Sequence, residues 1–245
     1  MKEIANFLWI GPNLSRYEEV AIRSFIHNGF EARVWSYSPL RLPEGATPMD
    51  AQLILPQEET GRYTQGGKPN NLAAFSDVFR YTLLSTRLGE WWFDTDCICL
   101  KDAADFRELK AGKKLVVGQE DQDHVNGACL SFLDRELASA LVQEQKRIIE
   151  SKRELMWGEI GPRLLTAYLN SHRLSDEIFP PRFFYPIHYS QAVLLNNPSY
   201  CEQIMQVTKA SFICHLWNDL LATQIDKSAP PKEGSYLEVL FLKYS

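Results

Sequence analysis

The chain has no long uninterrupted hydrophobic run, and this absence excludes a membrane-spanning helix. Its first residues lead directly into a predicted strand, without the apolar core of a signal peptide, so we expect a cytoplasmic protein that lacks a membrane anchor. Positive charge is also scarce, because 26 Lys and Arg stand against 31 Asp and Glu, for a net charge of −5. This balance gives no reason to bind nucleic acid. Peripheral association with a membrane stays open.

Cysteine motifs and a phosphate-binding loop are missing as well. The five cysteines lack the paired spacings of zinc sites, so we expect reduced and mostly buried thiols. The segment Gly66-Gly67-Lys68 superficially suggests a phosphate loop. It lacks the Gly-x-x-x-x-Gly-Lys-Ser/Thr spacing, however, and no strong strand precedes it. A zinc module and a P-loop are therefore both excluded.

The chain does have the composition of one globular domain, with 245 residues of which 45% are hydrophobic and 12% aromatic. A strand at 4–10, a helix at 16–28 and a strand at 32–37 are predicted, and together they form a βαβ unit. Residues 39–69 are rich in turn formers and are expected to run over the sheet edge. Further patterns predict helices at 71–88, 135–151 and 161–170, strands at 114–118 and 128–132, and an irregular region with short strands from 179 onward. We predict an α/β fold in which helices flank a mostly parallel central sheet.

An acidic triplet, Asp94-Thr95-Asp96, follows the apolar run Trp91-Trp92-Phe93. Residues at i and i+2 of an extended strand project from the same face, so both carboxylates can converge on one ligand. Ligands of open α/β sheets gather beyond the carboxyl ends of the strands, where this triplet falls. Carboxylate oxygens suit Mg²⁺ or Mn²⁺, and such an ion neutralises the charge that grows on a diphosphate leaving group.

The predicted helix before the triplet carries a second charged pair, Asp77 and Arg80, on one of its faces. An exposed pair of this kind would be a surface ion pair of little consequence. The neighbouring positions are apolar, however, and a buried Asp/Arg pair is costly unless it recognises something polar. The sequence therefore favours a functional pair, on a helix that Gly89 is expected to end.

The order Ser76-Asp77-x-x-Arg80-Tyr81, then Leu88-Gly89, then Phe93 to Asp96 resembles the sugar-nucleotide signature of glycosyltransferases that carry an Asp-x-Asp motif. It is similar to family 32, typified by the yeast initiating mannosyltransferase and the α1,4-galactosyl- and N-acetylglucosaminyltransferases. The resemblance implies a GT-A-type nucleotide-sugar-binding fold in one domain over residues 1–245. The nucleotide-sugar half would span about 1–100, and the acceptor half with a closing C-terminal segment about 101–245. One departure is Glu90-Trp91-Trp92, where the family usually has a second glycine and a smaller strand start.

The resemblance also implies a reaction. A hexosyltransferase of polysaccharide biosynthesis would move a sugar from a UDP- or GDP-linked donor to a hydroxyl of a glycan or lipid-linked acceptor. Mn²⁺ or Mg²⁺ would be the cofactor, and the anomeric configuration would be retained. Because no second carboxylate motif supplies a nucleophile, a front-face displacement is the better hypothesis.

Site residues follow from the same resemblance. The catalytic residues would be Asp77, Arg80, Asp94 and Asp96, and the metal ligands Asp94, Asp96 and His215. The donor would contact Trp9, Ile10, Ser76, Asp77, Arg80, Tyr81, Asp94, Thr95, Trp217 and Asn218. The acceptor would lie beside Asn126, Gly127 and Gly161, where the family places turns. Trp9 as a core aromatic and His215 as a packing residue stay open.

The segment after His215 is expected to act as a lid. A strand-like run at 210–214 precedes it, and a pliable polar tail follows. A rigid strand with a pliable tail is what a lid needs if it is to close over metal and donor and exclude water.

Three other functions stay open. A phosphatase with an aspartate nucleophile also has Asp-x-Asp after a hydrophobic strand, but it expects Gly-Thr next, and Cys97-Ile98 follow here. A non-catalytic sugar-nucleotide- or glycan-binding protein would bind the donor without turnover. A toxin-like glycosyltransferase would modify a protein.

Overall fold

A mixed β-sheet forms the centre of the molecule. The computed structural model describes residues 2–245 and holds nine strands in that range: β1 (Ile4–Leu8), β2 (Glu31–Ser36), β3 (Thr47–Asp50), β4 (Trp91–Phe93), β5 (Cys97–Cys99), β6 (Leu115–Gln119), β7 (Val125–Phe132), β8 (Ile178–Phe179) and β9 (Ile213–His215). Seven of them form the central sheet in the order β3-β2-β1-β4-β7-β6-β8, while β5 and β9 pair as a separate antiparallel ribbon.

The central sheet is mostly parallel. Strand β1 pairs in parallel with β2 and β4, β2 with β3, and β6 with β8. Strand β7 alone reverses direction, pairing antiparallel with both β4 and β6. The predicted α/β class with a mostly parallel sheet is therefore confirmed.

Helices cover the sheet on both faces. Within residues 2–245 they are α1 (Arg16–His27), α2 (Leu72–Thr86), α3 (Ala103–Leu109), α4 (Arg135–Ser151), α5 (Pro162–Ser171), α6 (Pro181–Phe184), α7 (Cys201–Thr208), α8 (Asn218–Leu221) and α9 (Tyr236–Tyr244). None of them is long and apolar enough to cross a bilayer.

Side-chain caps fix where the helices near the site begin. Helix α1 starts with a capping box, in which the Ser15 backbone N–H donates to Glu18 Oε2 at 2.8 Å. The N-cap residue of helix α2 is Asn71, whose Oδ1 accepts the Ala74 N–H at 2.9 Å. This helix ends sooner than predicted, and Gly89 lies beyond its C-cap residue Arg87.

Strand β4 is buried on both faces, which explains its run of three aromatic residues. Trp92 faces the α2 side, where its ring centroid lies 6.1 Å from that of Phe79. Trp91 and Phe93 face the other side, and both pack edge-on against Phe106 of α3. This packing fixes the carboxyl end of β4, from which the acidic triplet emerges.

Three predictions of local structure were wrong. The turn-rich region 39–69 contains β3, an edge strand that the pattern hides because it is largely exposed and includes Pro48. Asn126 and Gly127 lie inside β7, not in a turn, because β7 begins three residues earlier than predicted and passes a register shift in its pairing with β6. The region from 179 onward does hold the short strand β9, but it is mainly helical and contains α7 and α9.

The tail after His215 is not pliable throughout. Helix α9 buries Tyr236, Leu237, Leu240 and Phe241 in a core cluster shared with α1. Residues 218–234 contain α8 and a series of turns, so a closing motion would be confined to that stretch.

Candidate active site

A cleft of about 950 Å³ opens at the carboxyl ends of β1 and β4. Open α/β sheets bind ligands at this position. Among the residues that were predicted to form the site, those that line the cleft are Trp9, Ile10, Ser76, Asp94, Thr95, Asp96, Asn126, His215, Trp217 and Asn218.

Asp96 and His215 meet because β5 and β9 pair. Asp96 directly precedes β5 and His215 ends β9, where it pairs with Cys97. The Nε2 atom of His215 lies 3.1 Å from Asp96 Oδ1, and the Asn218 N–H donates to Asp96 Oδ2 at 2.9 Å. These contacts join residues that are more than a hundred positions apart in sequence.

The pair is electrostatically coupled. Burial raises the pKa of Asp96, but the charge and hydrogen bond of His215 and the Asn218 N–H lower it by more, so the pKa lies below its ordinary value. Burial lowers the pKa of His215, but Asp96 more than offsets this, and the net pKa is raised. Strongly coupled titratable groups in a cleft are typical of functional sites.

The Asp94 side chain is fixed by contacts with Trp92 and Arg80. Its Oδ1 accepts the Trp92 indole N–H at 2.7 Å and lies 3.2 Å from Arg80 Nη2. Its backbone N–H donates to the Ala128 carbonyl on β7 at 2.9 Å. One carboxylate oxygen is thereby fixed by the protein, and the side chain stays partly exposed to the cleft.

Arg80 acts on the cleft through Asp94. It is buried, its Nη2 lies 3.2 Å from the Ser76 hydroxyl, and its guanidinium sits 5.1 Å from the centroid of Trp92. A Cβ atom on Gly127 would approach Arg80 Nη1 to 3.0 Å, so glycine leaves room for the guanidinium. The structure therefore gives Arg80 and Gly127 supporting positions behind the cleft wall.

Asp77 is enclosed next to Arg80. Its Oδ1 lies 3.5 Å from Arg80 Nε. Burial raises the pKa of Asp77 to about 6, against the lowering effect of Arg80 and with a further increase from Asp94. Gly161 lies against the Asp77 carboxyl group, and the Tyr81 hydroxyl donates to the Gly161 carbonyl at 3.1 Å. Asp77, Tyr81 and Gly161 thus form a buried support and not part of the cleft lining.

The donor groups at the centre of the cleft fit a hard divalent ion. Asp94, Asp96 and His215 all line the cleft, and carboxylate with neutral imidazole suits Mn²⁺. His215 Nδ1 is buried and finds no hydrogen-bond partner among residues 2–245. Ligand atoms of Asp96, Cys97 and His215 lie within 4.8 Å of one another, and Asp94 is not part of this close group. A soft thiol ligand suits neither Mg²⁺ nor Mn²⁺, so Cys97 is a poor ligand for either ion.

Unpartnered buried atoms concentrate in this cleft. Within residues 2–245, four buried side-chain atoms lack a hydrogen-bond partner, and three of them belong to the cleft residues Trp9, His215 and Asn218. Buried polar atoms are normally paired, so their clustering indicates groups kept ready for a polar ligand.

The cleft is strongly acidic. Six carboxylate residues line it, at Glu18, Asp94, Asp96, Glu120, Asp121 and Asp219. Within residues 2–245, Lys227 is the one Lys or Arg in the lining, and its Nζ lies 3.1 Å from Glu18 Oε1. Asn218 Nδ2 donates to the same oxygen at 2.7 Å.

The sequence did not reveal that Glu18 and Lys227 contact each other and line the cleft. The Ser15-x-x-Glu18 pattern signals a capping box, but nothing local signals a contact with residue 227. Glu120, Asp121, His124 and Trp157 were missed as well, since no motif surrounds them.

The C-terminal part of the chain matches a known family. Residues 148–244 match the model of the alpha 1,4-glycosyltransferase conserved region. The resemblance to this group of glycosyltransferases is confirmed. The matched part includes His215, Trp217 and Asn218 but not the acidic triplet, and the match supports glycosyltransferase activity. No curated protein sequence matches the chain significantly.

Solved structures confirm the fold. The glycosyltransferase GlyE of Streptococcus pneumoniae TIGR4 is 14% identical with a TM-score of 0.51, and the match covers 99% of this chain and 63% of that one. The bifunctional glycosyltransferase WbbM is 9% identical with a TM-score of 0.51, covering 99% of this chain and 49% of that one. The chain thus spans less than two thirds of either protein. At these identities the likeness establishes the GT-A fold alone.

Proposed function

We propose that the protein is a metal-dependent glycosyltransferase that moves a hexose from a nucleotide-diphosphate donor to a hydroxyl of a glycan or lipid-linked acceptor. The observation that carries this proposal is the contact between Asp96 and His215 in a cleft that Asp94 also lines and that holds the unpartnered buried atoms. The family match in the C-terminal part supports it independently. A cytoplasmic location belongs to the same proposal.

Asp94, Asp96 and His215 would hold Mn²⁺ or Mg²⁺, which when bound neutralises charge on the donor's diphosphate. Arg80 and the Trp92 indole N–H fix one oxygen of Asp94, and the Asn218 N–H fixes one of Asp96. A site held in this way needs little reorganisation when the donor binds.

The charge of the cleft supports a requirement for cations. Six carboxylate residues would repel a diphosphate, and one ammonium group does not balance them. Binding therefore needs the divalent ion together with Lys227, which would exchange its contact with Glu18 for a phosphate oxygen.

The nucleoside end of the donor has a suitable wall. Trp9 and Ile10 line the cleft directly after β1, and an indole face offers stacking at a small entropic cost. The buried Trp9 Nε1–H has no hydrogen-bond partner among residues 2–245.

The proposed reaction is a front-face displacement with retention. The acceptor oxygen forms a bond to the anomeric carbon while the bond from that carbon to the donor's phosphate oxygen breaks on the same face. The departing phosphate oxygen takes the acceptor's hydroxyl proton, and the products are a glycoside and a nucleoside diphosphate. Asp77 is buried and does not line the cleft, which argues against using it as a nucleophile.

Thermal shift and donor hydrolysis test the proposal. UDP- and GDP-linked sugars should raise the melting temperature only when Mn²⁺ or Mg²⁺ is present, and at least one should be hydrolysed slowly, with water as the acceptor. If sugar nucleotides bind in a metal-dependent way but are neither hydrolysed nor used as donors, the result would favour a non-catalytic binding protein. The acceptors tried should include glycans, lipid-linked sugars and proteins. Transfer to proteins alone would favour the toxin-like alternative.

A further inference from the structure

An exposed tryptophan stands at the edge of the cleft. Trp157 is 58% exposed although it lines the cleft. Its ring meets His124 edge-on with the centroids 6.5 Å apart, and His124 lies 3.4 Å from Asp121. Glu120 accepts the Asn126 side-chain N–H at 2.6 Å nearby in the same connection between β6 and β7. These residues form one group, joined by their own contacts, which we call the Trp157 subsite.

The fold holds Trp157 in its exposed position. Leu155, two residues earlier, is buried, and its N–H donates to the Thr64 carbonyl at 2.8 Å. Ile160, three residues later, is fully buried. Between them, the Met156 N–H donates to Glu159 Oε2 at 2.9 Å. The indole is therefore presented by an anchored loop, and Arg163 braces it with its guanidinium 5.9 Å from the ring centroid.

The chemistry of the subsite matches a sugar ring. One face of a pyranose carries C–H groups that pack on an indole, and its rim carries hydroxyls that donate to carboxylates. Here the indole of Trp157 stands with the carboxylates of Glu120 and Asp121 along one cleft.

We propose that the Trp157 subsite binds a pyranose unit of the acceptor, with the sugar packed on the Trp157 indole and its hydroxyls directed to Glu120 and Asp121. The identification of the bound sugar as an acceptor rests on the proposed function, but the binding of the sugar needs no donor and no metal. The inference assigns a glycan-binding role to Trp157 and to two carboxylates, of which Glu120 also interacts electrostatically with His215.

Saturation-transfer NMR with methyl pyranosides tests the subsite without turnover. The probes are both anomers of the methyl pyranosides of glucose, galactose, mannose and N-acetylglucosamine. At least one should bind wild-type protein, and Trp157→Ala should weaken that binding about tenfold. Trp157→Phe should retain part of it. Met156→Ala is the matched control, since Met156 is the preceding residue, 56% exposed, and does not line the cleft.

The outcomes separate this inference from the proposed function. Absence of pyranoside binding by the wild type, or equal binding by Trp157→Ala, would overturn the subsite. Metal-dependent donor binding should be the same in Trp157→Ala and wild type, and this also verifies that the variant is folded. Failure of every sugar nucleotide to bind the wild type would instead overturn the proposed function and leave the pyranoside result to stand by itself.

Discussion

The backbone of Gly161 lies so close to the carboxyl group of Asp77 that a Cβ atom on Gly161 would come within 2.0 Å of Asp77 Oδ2. Gly161 is the N-cap residue of α5, and its carbonyl accepts a hydrogen bond from the Tyr81 hydroxyl of α2. The N-terminus of α5 therefore packs against the middle of α2. Gly161 was predicted to border the acceptor, and the structure gives it this packing position.

Gly161→Ala should disturb Asp77 and, through Arg80, the position of Asp94. Overpacking of this kind costs about 1–3 kcal/mol of unfolding free energy, and donor turnover should fall as well. Chemical denaturation and donor hydrolysis measure the two effects. Gly61→Ala is the control, because its added Cβ would make only an ordinary 3.4 Å contact with Asn70. Equal stability and turnover in the two variants would show that Gly161 is not constrained by Asp77.

The raised pKa of Asp77 should appear in the pH dependence of stability. Its pKa rises from 3.8 in the unfolded chain to about 6 in the fold, so the protonated form is favoured by folding. The stabilisation is present in full below 3.8 and is lost as the pH rises through about 6. The wild type should therefore gain stability over Asp77→Asn as the pH falls through this window. Thermal melts of both proteins measure the difference, and a constant difference across the window would contradict the raised pKa.

Arg80→Lys should impair donor turnover almost as strongly as Arg80→Ala. The guanidinium contacts Asp94, Asp77 and Ser76 and stacks near Trp92, and one ammonium group cannot reproduce that set. We expect a loss of at least about tenfold in kcat for either variant. Arg87→Lys is the control, because Arg87 is a partly exposed residue at the end of the same helix. Near-wild-type kcat in Arg80→Lys would reduce Arg80 to a packing residue.

Asp96→Asn should remove metal-dependent nucleotide binding and reduce donor turnover on the order of a hundredfold or more. The amide keeps one acceptor oxygen for the Asn218 N–H but loses the charge that attracts a cation. Calorimetric titration with Mn²⁺ in the presence of UDP or GDP measures the loss. Asp123→Asn, at an exposed position away from the cleft lining, should behave as wild type. Unchanged Mn²⁺ affinity in Asp96→Asn would refute the metal site.

Lys227→Gln should weaken binding of nucleoside diphosphates about tenfold while leaving the free nucleoside unaffected, because the ammonium group is proposed to reach only the phosphates. UDP and GDP compared with uridine and guanosine provide the test. Lys232→Gln serves as the control, since Lys232 is exposed and does not line the cleft. If the nucleoside lost as much affinity as the diphosphate, Lys227 would be shaping the cleft through Glu18 and not binding phosphate.

Local sequence patterns predicted many of the helices and strands. The bounds of α4 were predicted to the residue, and the βαβ unit at the start of the chain was recognised from its alternation and its cap. Asp94 was placed correctly at the end of a buried strand, because the apolar run before it is a local signal. The triplet was expected to extend that strand, but residues 95 and 96 lie in a turn, closed by the Cys97 N–H and the Asp94 carbonyl. Such signals need only a few neighbouring residues to be readable.

The remainder depends on contacts between distant parts of the chain. Arg80 was expected to touch the donor, but its partner Asp94 lies in another element, and no periodicity reveals that contact. Edge strand β3 escaped detection because its residues are exposed and follow no alternation. The link between Glu18 and Lys227 spans 209 positions, which no motif can encode.

The β5–β9 ribbon has a consequence for the order of folding. The contact between Asp96 and His215 closes a loop of 119 residues, and the bond from Asn218 to Glu18 closes one of 200. Contacts of such high sequence separation form late, after local elements have organised. When the first hundred residues of a nascent chain have left the ribosome, the acidic triplet is therefore present but His215 has not yet reached it. The centre would become competent to retain an ion only once the stretch around β9 has left the ribosome and docked.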